Sequence, residues 1–167
     1  MVALLLVSVA LRATLVSGAQ QQRYPPPAQP LPYSHKRHLA LPAKLECRQW
    51  HVNPEAGKLM TYPPTDTCLS CHKDIPADRA SLQQLAAMAV SGKPIAWRRV
   101  YELPDFVYWK HGTHLKAGIA CAECHGAVSE RDIIAVETEI TSMKGCVACH
   151  DTRQVYVDCD DCHEPRQ

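Results

Sequence analysis

A five-residue pattern written four times constrains this chain more than anything else in it. The copies are Cys68-Leu-Ser-Cys71-His72, Cys121-Ala-Glu-Cys124-His125, Cys146-Val-Ala-Cys149-His150 and Cys159-Asp-Asp-Cys162-His163. Two thiols separated by two residues share one tight helical turn, where they can reach the two vinyl groups of a single porphyrin as thioethers. The next side chain then lies beneath the macrocycle, with an imidazole nitrogen placed to bind iron. Paired Cys-x-x-Cys motifs also build four-thiolate zinc sites, and an exported chain can use such thiols for disulfides. Neither alternative requires a histidine after the second cysteine. At the frequency of histidine in this composition, four such placements would arise by chance in about one of 10⁵ trials. Covalent haem c is therefore the expected cofactor, in at least four copies.

Composition agrees with a core that is not made of side chains. Nominally 46% of residues are apolar, but nine of these are cysteines, there is a single Phe, and aromatics amount to 6%. Thirteen prolines interrupt the 167 residues. A short chain so poor in large apolar side chains has difficulty offsetting its ordering entropy. The expected fold is a small, mainly irregular and α-helical multihaem cytochrome, with few short helices, little or no β-sheet, and a core formed largely by packed haems.

An internal repeat organises the chain. Tyr33-Ser-His35-Lys-Arg-His38 and Trp109-Lys-His111-Gly-Thr-His114 both read aromatic-x-His-x-x-His, and a cysteine motif follows each: eight residues separate His38 from Cys47, and six separate His114 from Cys121. Residues 1–19 read as a signal peptide or short anchor: Met1 to Leu11 is uncharged and mostly apolar, and Ser17-Gly18-Ala19 resembles a small-residue cleavage site. Residues 20–32 form a Pro/Gln-rich linker, expected to be extended and poorly ordered. Residues 33–167 form the haem domain, with sub-repeats at about 33–77 and 109–165 joined by a helical segment at about 78–92. In that segment Leu82, Leu85, Ala86 and Ala89 make an apolar stripe at helical spacing, Asp78 is the expected cap, and Gly92 and Pro94 are the stop.

Sixth ligands are expected from the histidines outside the motifs. His35, His38, His111 and His114 are four in number, matching the four haems. Iron held between two imidazoles is closed to substrates, which suits electron transfer rather than catalysis. Cys47 begins a fifth, altered motif, Cys47-Arg-Gln-Trp50-His51, in which Trp replaces the second cysteine. Either a fifth haem hangs there on a single thioether with His51 as its proximal ligand, or the haem is gone and Trp50 fills part of its space. The persistence of Cys47 and His51 in register favours the haem. Five bis-His haems need ten histidines and the chain has nine, so the fifth would be five-coordinate or use another ligand such as Met60. An open iron at Cys47/His51 would permit a multihaem reductase as an alternative to an electron carrier.

Net charge is +1, which gives no general reason to bind nucleic acid. Its distribution is uneven. From Arg23 to Lys58, Arg23, Lys36, Arg37, Lys44, Arg48 and Lys58 outnumber Glu46 and Glu55, while from Asp151 to the end Asp151, Asp158, Asp160, Asp161 and Glu164 outnumber Arg153 and Arg166. These are ordinary solvated faces or surfaces for two different partners. The terminal acids should stabilise the ferric form of the last haem, with screening by salt.

Three stretches carry a family resemblance: Gln29-Pro-Leu-Pro-Tyr-Ser-His35-Lys-Arg-His38, Tyr62-Pro-Pro-Thr-Asp-Thr-Cys68-Leu-Ser-Cys71-His72, and Gly92 through Trp97, Tyr101, Phe106 and His111 to His114. They resemble class III cytochrome c-like proteins, and together the multihaem cytochrome c subunit of alternative complex III and related quinone-linked oxidoreductases. The similarity runs from about Gln29 to Pro165, with Leu103-Pro-Asp-Phe-Val-Tyr108 its most specific block. It implies a periplasmic, membrane-associated respiratory-chain subunit beside an iron–sulfur/molybdopterin-type subunit and a quinone-binding membrane subunit. This chain departs from those relatives at Trp50, where they have a second cysteine, and at Tyr101, where they often have histidine. A standalone relative, including a haem-conducting filament subunit, is the remaining alternative.

Overall fold

The computed structural model describes residues 27–43, 45–52 and 59–163. Eight short α-helices follow one another: α1 (His35–Leu39), α2 (Cys47–Trp50), α3 (Thr65–His72), α4 (Ala80–Ser91), α5 (His111–Lys116), α6 (Cys121–His125), α7 (Met143–Thr152) and α8 (Cys159–Cys162). Two 3-10 turns, Val128–Glu130 and Glu139–Thr141, lie between α6 and α7. Among the described residues the only β pairing is one antiparallel bridge between Val107 and His163. The expected small, helical and irregular fold is the observed one.

Each thiol motif starts or sits inside its own helix, and the cause is local. In three of them the residue before the second cysteine position reaches back to cap the helix. Gln49 Oε1 accepts from the Glu46 N–H at 2.9 Å, Glu123 Oε1 from the Ala120 N–H at 2.9 Å, and Asp161 Oδ2 from the Asp158 N–H at 2.8 Å. A polar side chain there satisfies a backbone donor that a helix start otherwise leaves open. Ser142 Oγ does the same for α7, accepting from the Gly145 N–H at 3.1 Å.

The connecting helix α4 forms where the spacing places it, with Gly92 in the left-handed conformation (φ 65°) closing it. Two details differ from expectation. Arg79, not Asp78, occupies the capping position and makes no side-chain cap. The inward stripe is Leu82, Leu85, Met88 and Ala89, while Ala86 is exposed. Rotation toward Met88 is the stronger burial, because a thioether side chain covers more apolar surface than a methyl.

Among the described residues only Leu31, Leu85 and Ile95 are buried hydrophobics, with Cys68, Leu69, Met88 and Trp97 packed against them. Val90 and Tyr156 are 91% and 88% exposed. So thin a core is what the composition implies. It clamps α4 onto α3 and therefore onto the first complete thiol motif. Leu31 also corrects the picture of a loose linker: this end of it is in the core, and Gln29 exchanges two hydrogen bonds with the Arg98 backbone at 2.9 and 3.0 Å. The expected targeting segment, residues 1–19, lies outside the described residues. No described helix is long and apolar enough to cross a membrane.

The two repeats touch directly. The Lys36 N–H donates to the Arg131 carbonyl at 2.9 Å, and Ser34 Oγ donates to Asp132 at 2.5 Å. The helix bearing the first His-x-x-His pair is thereby fixed against the 3-10 turn of the second repeat.

Candidate haem centres

All nine histidines are described, and eight of their rings form four facing pairs. His35 faces His51 with centroids 6.5 Å apart and planes 19° apart. His111 faces His125 at 6.3 Å and 6°. His38 faces His72 at 6.1 Å and 52°, and His114 faces His150 at 6.2 Å and 53°. The repetition is close: in each repeat the first free histidine meets the next motif with near-parallel planes, and the second meets the following motif with planes crossed.

These separations fit a single iron between the rings. A transition metal holds an imidazole nitrogen about 2.0–2.1 Å away, and that nitrogen lies about 1.1 Å from its ring centre, so an iron shared by both rings of a pair would fit a centroid separation of roughly 6.3 Å. Among the described residues no three His, Cys, Asp or Glu side chains converge to hold a bare metal ion. Two imidazoles of each pair would hold an iron whose remaining donors a porphyrin would supply. Beside each pair stands a thiol or thiol pair, and all nine cysteines are free.

Ring orientation is set from behind. His38 Nδ1 contacts the Ser34 carbonyl at 2.7 Å and His114 Nδ1 the Lys110 carbonyl at 3.0 Å, again in equivalent positions. His51 Nδ1 contacts the Thr61 carbonyl at 3.0 Å. With Nδ1–H committed to a carbonyl, Nε2 is left unprotonated and outward, the form that binds metal. On the other side of the crossed pairs, Nδ1 of both His72 and His150 is buried without a partner among the described residues.

The aromatic residue before each His-x-x-His has a defined task. Tyr33 meets His35 edge-on at 4.9 Å and stacks on His38 at 4.3 Å; Trp109 meets His111 edge-on at 4.2 Å and stacks on His114 at 5.2 Å. One ring thus buttresses two imidazoles that must point to different irons. Burial, followed by the Cys68 thiol, pushes the Tyr33 hydroxyl up to about 12, so it stays protonated. Burial, then His51 and His38, pulls His35 down to about 4. His72 is lowered by burial and His38, and His125 by burial, His111 and His51. Each shift favours the neutral imidazole, which is the ligating form.

The thiols trace a continuous order. Cys47 is raised by burial, then by Cys121. Cys124 is raised by burial, then by Cys149 and Cys146, and Cys146 by burial, then by Cys162. Neighbouring attachment sites therefore run from Cys47 through Cys121/Cys124 and Cys146/Cys149 to Cys159/Cys162. The Cys68/Cys71 site adjoins Cys47 through α1, which presents His35 to one and His38 to the other. An exposed ion pair between Glu123 of α6 and Arg153 at the end of α7 links two of the sites.

The histidine tally matches the four free histidines to the four complete motifs. The geometry distributes them differently: His35 is brought to His51 of the altered motif, and among the described residues His163 meets no other imidazole. Phe106 is the ring beside His163, at 5.8 Å, and Tyr108 N–H donates to the Cys162 carbonyl at 2.8 Å. The backbone carbonyl of Met60 accepts from the Arg99 guanidinium at 3.1 Å. Tyr101, noted in the sequence only as a missing histidine, lies 4.4 Å from the His125 ring, with its hydroxyl buried and unpartnered among the described residues. The aromatic buttresses are visible in the sequence as repeated letters; their contacts are not.

Residues 107–164 match the family model described as cytochrome c7 and related cytochrome c. The matched stretch holds the second His-x-x-His helix and the last three thiol motifs, and it supports a multihaem c-type cytochrome that transfers electrons through covalently bound haem.

Proposed function

We propose that the chain relays electrons through five covalently held haems. Four would have two imidazole ligands: His51 and His35, His72 and His38, His125 and His111, His150 and His114. The fifth would be held by Cys159, Cys162 and His163. The observation that carries this reading is the duplicated geometry. The His35–His51 pair repeats the His111–His125 pair in distance and in near-parallel planes, although Cys47 lacks the second thiol of Cys121/Cys124. A site that had lost its haem would have no reason to keep a facing imidazole at that separation.

Haem supplies the reversible one-electron chemistry when bound. The protein's residues do the rest. Imidazoles on both faces keep the iron's surroundings nearly the same in both oxidation states. Tyr33 and Trp109 hold the rings, and the ordered thiol sites keep the carriers adjacent. Exposed Asp158, Asp160 and Asp161 favour the ferric state at the terminal site, blunted by solvent and salt.

In this reading the protein is extracytoplasmic, supported by the apolar start at Met1 to Leu11 and the small residues before Gln20. Its partners would be the iron–sulfur/molybdopterin-type and quinone-binding membrane subunits of a respiratory oxidoreductase, supported by the resemblance over Gln29 to Pro165. A reductase centred on an open iron at His51 is less favoured, because His35 stands opposite. Intact mass spectrometry of the purified protein tests both count and location. The expected result is a chain beginning after Ala19 with five haems attached; a mass with four would remove the Cys47 site from the relay.

A further inference from the structure

One short stretch between α4 and α5 carries donors to the middle of the molecule. Among the described residues, five buried side-chain polar atoms lack a partner. Three are the Nδ1 atoms of His35, His72 and His150; the other two are Trp97 Nε1 and the Tyr101 hydroxyl, on the same non-helical stretch. Arg99 stands between them in the chain. Its guanidinium lies 5.1 Å over the Tyr62 ring and donates to the Met60 carbonyl at 3.1 Å.

These three side chains sit against the rings of two neighbouring sites. Tyr101 is edge-on to His125 at 4.4 Å, and Tyr62, which Arg99 covers, is edge-on to His51 at 6.1 Å. Trp97 lies 6.3 Å from Tyr62 and 6.3 Å from Tyr33, the ring that buttresses His35. The backbone of the stretch is pinned near both ends. Gln29 bonds the Arg98 N–H and carbonyl, and the Glu102 N–H donates to Glu137 at 2.8 Å. A buried N–H or O–H held this firmly calls for an acceptor, and a guanidinium calls for an anion. Porphyrin carboxylates are both: acceptors, and anions that are costly to bury without donors.

We propose that Trp97, Arg99 and Tyr101 form a strap that binds the porphyrin carboxylates of the haems at His35/His51 and His111/His125. Trp97 and Arg99 serve the first and Tyr101 the second, so one rigid stretch sets both haems where the two repeats join. The Tyr101 part concerns a complete thiol motif; the Trp97 and Arg99 part rests on the five-haem reading. Donors and positive charge draw negative charge off a carboxylate, which removes support from the ferric form and raises the midpoint potential.

The test compares wild type, Tyr101→Phe and Arg99→Gln as full-length haem-loaded proteins, with haems counted by intact mass. Tyr101→Phe keeps the ring against His125 and removes only the donor. One midpoint should fall in a redox titration, and part of the propionate-bending band in the resonance Raman spectrum should move to lower frequency. Arg99→Gln should lower the midpoint of a different haem. A fully loaded Tyr101→Phe protein with an unmoved propionate band would overturn the strap, even if a potential shifted, because the hydroxyl would then act through packing alone. With five haems present, an Arg99→Gln titration identical to wild type would overturn it as well. If Tyr101→Phe loses haem, Trp97→Phe puts the same question to the neighbouring haem: a moved band supports the strap and an unmoved one overturns it. A wild-type mass of four haems, with Tyr101→Phe still shifting the band, would sink the five-haem reading and uphold the assignment at His125.

Discussion

Gly145 occupies the third position of α7, where alanine would ordinarily be the better helix former, yet no methyl fits. A Cβ there would lie 2.5 Å from the Glu139 carbonyl oxygen, 2.5 Å from Ile140 Cα and 2.6 Å from the Ile140 carbonyl oxygen. All three are backbone atoms of the neighbouring 3-10 turn, so no side chain can swing aside, and the contact is close to an ångström short of ordinary van der Waals distance. Overpacking of this kind costs about 1–3 kcal/mol. In an unobstructed helix the same Gly145→Ala change would stabilise by up to about 1 kcal/mol, so the two explanations differ in sign. The net expectation is a loss of about 1–2 kcal/mol, or roughly 2–8 °C in the thermal midpoint for a protein of this size. Because α7 carries Cys146, Cys149 and His150, relief of the clash also displaces His150 relative to His114. Thermal unfolding of the haem-loaded variant, followed by circular dichroism and by the Soret band, measures both effects. A midpoint equal to or above that of wild type would show that the close packing of α7 on the Glu139–Thr141 turn is wrong.

Three further outcomes are expected. His114→Met should raise one midpoint potential, on the order of 0.1 V, and leave the others in place, because a thioether replaces an imidazole opposite His150; a redox titration in which nothing moves would mean that His114 binds no iron. Trp50→Cys should leave the haem count unchanged by intact mass and shift part of the pyridine haemochrome band as a second thioether forms; a gain of one haem would mean the wild-type site is empty. Protein without haem should be largely unfolded by circular dichroism, since its buried apolar side chains are so few; a cooperative melt of the haem-free chain would contradict the thin-core reading.

Short-range features of this protein are legible in its sequence. The thiols and proximal histidine of each motif lie within one helical turn, so their chemistry is set by neighbours in the chain, as is the capping by Gln49, Glu123 and Asp161. The end of α4 at Gly92 is local too, because only a residue free of a Cβ enters the left-handed region at no cost. The scarcity of large apolar side chains likewise implies a core that side chains alone do not fill. The facing of one imidazole by another is a different matter. It depends on where α1 and α5 are docked, α1 through the Lys36 N–H to the Arg131 carbonyl, and helical periodicity carries no information about such docking. Counting alone therefore assigns His35 to a complete motif, whereas folding brings it to His51 and leaves Phe106 beside His163. Ligation joins residues far apart in the chain, and only the packing that closes those distances selects which rings meet.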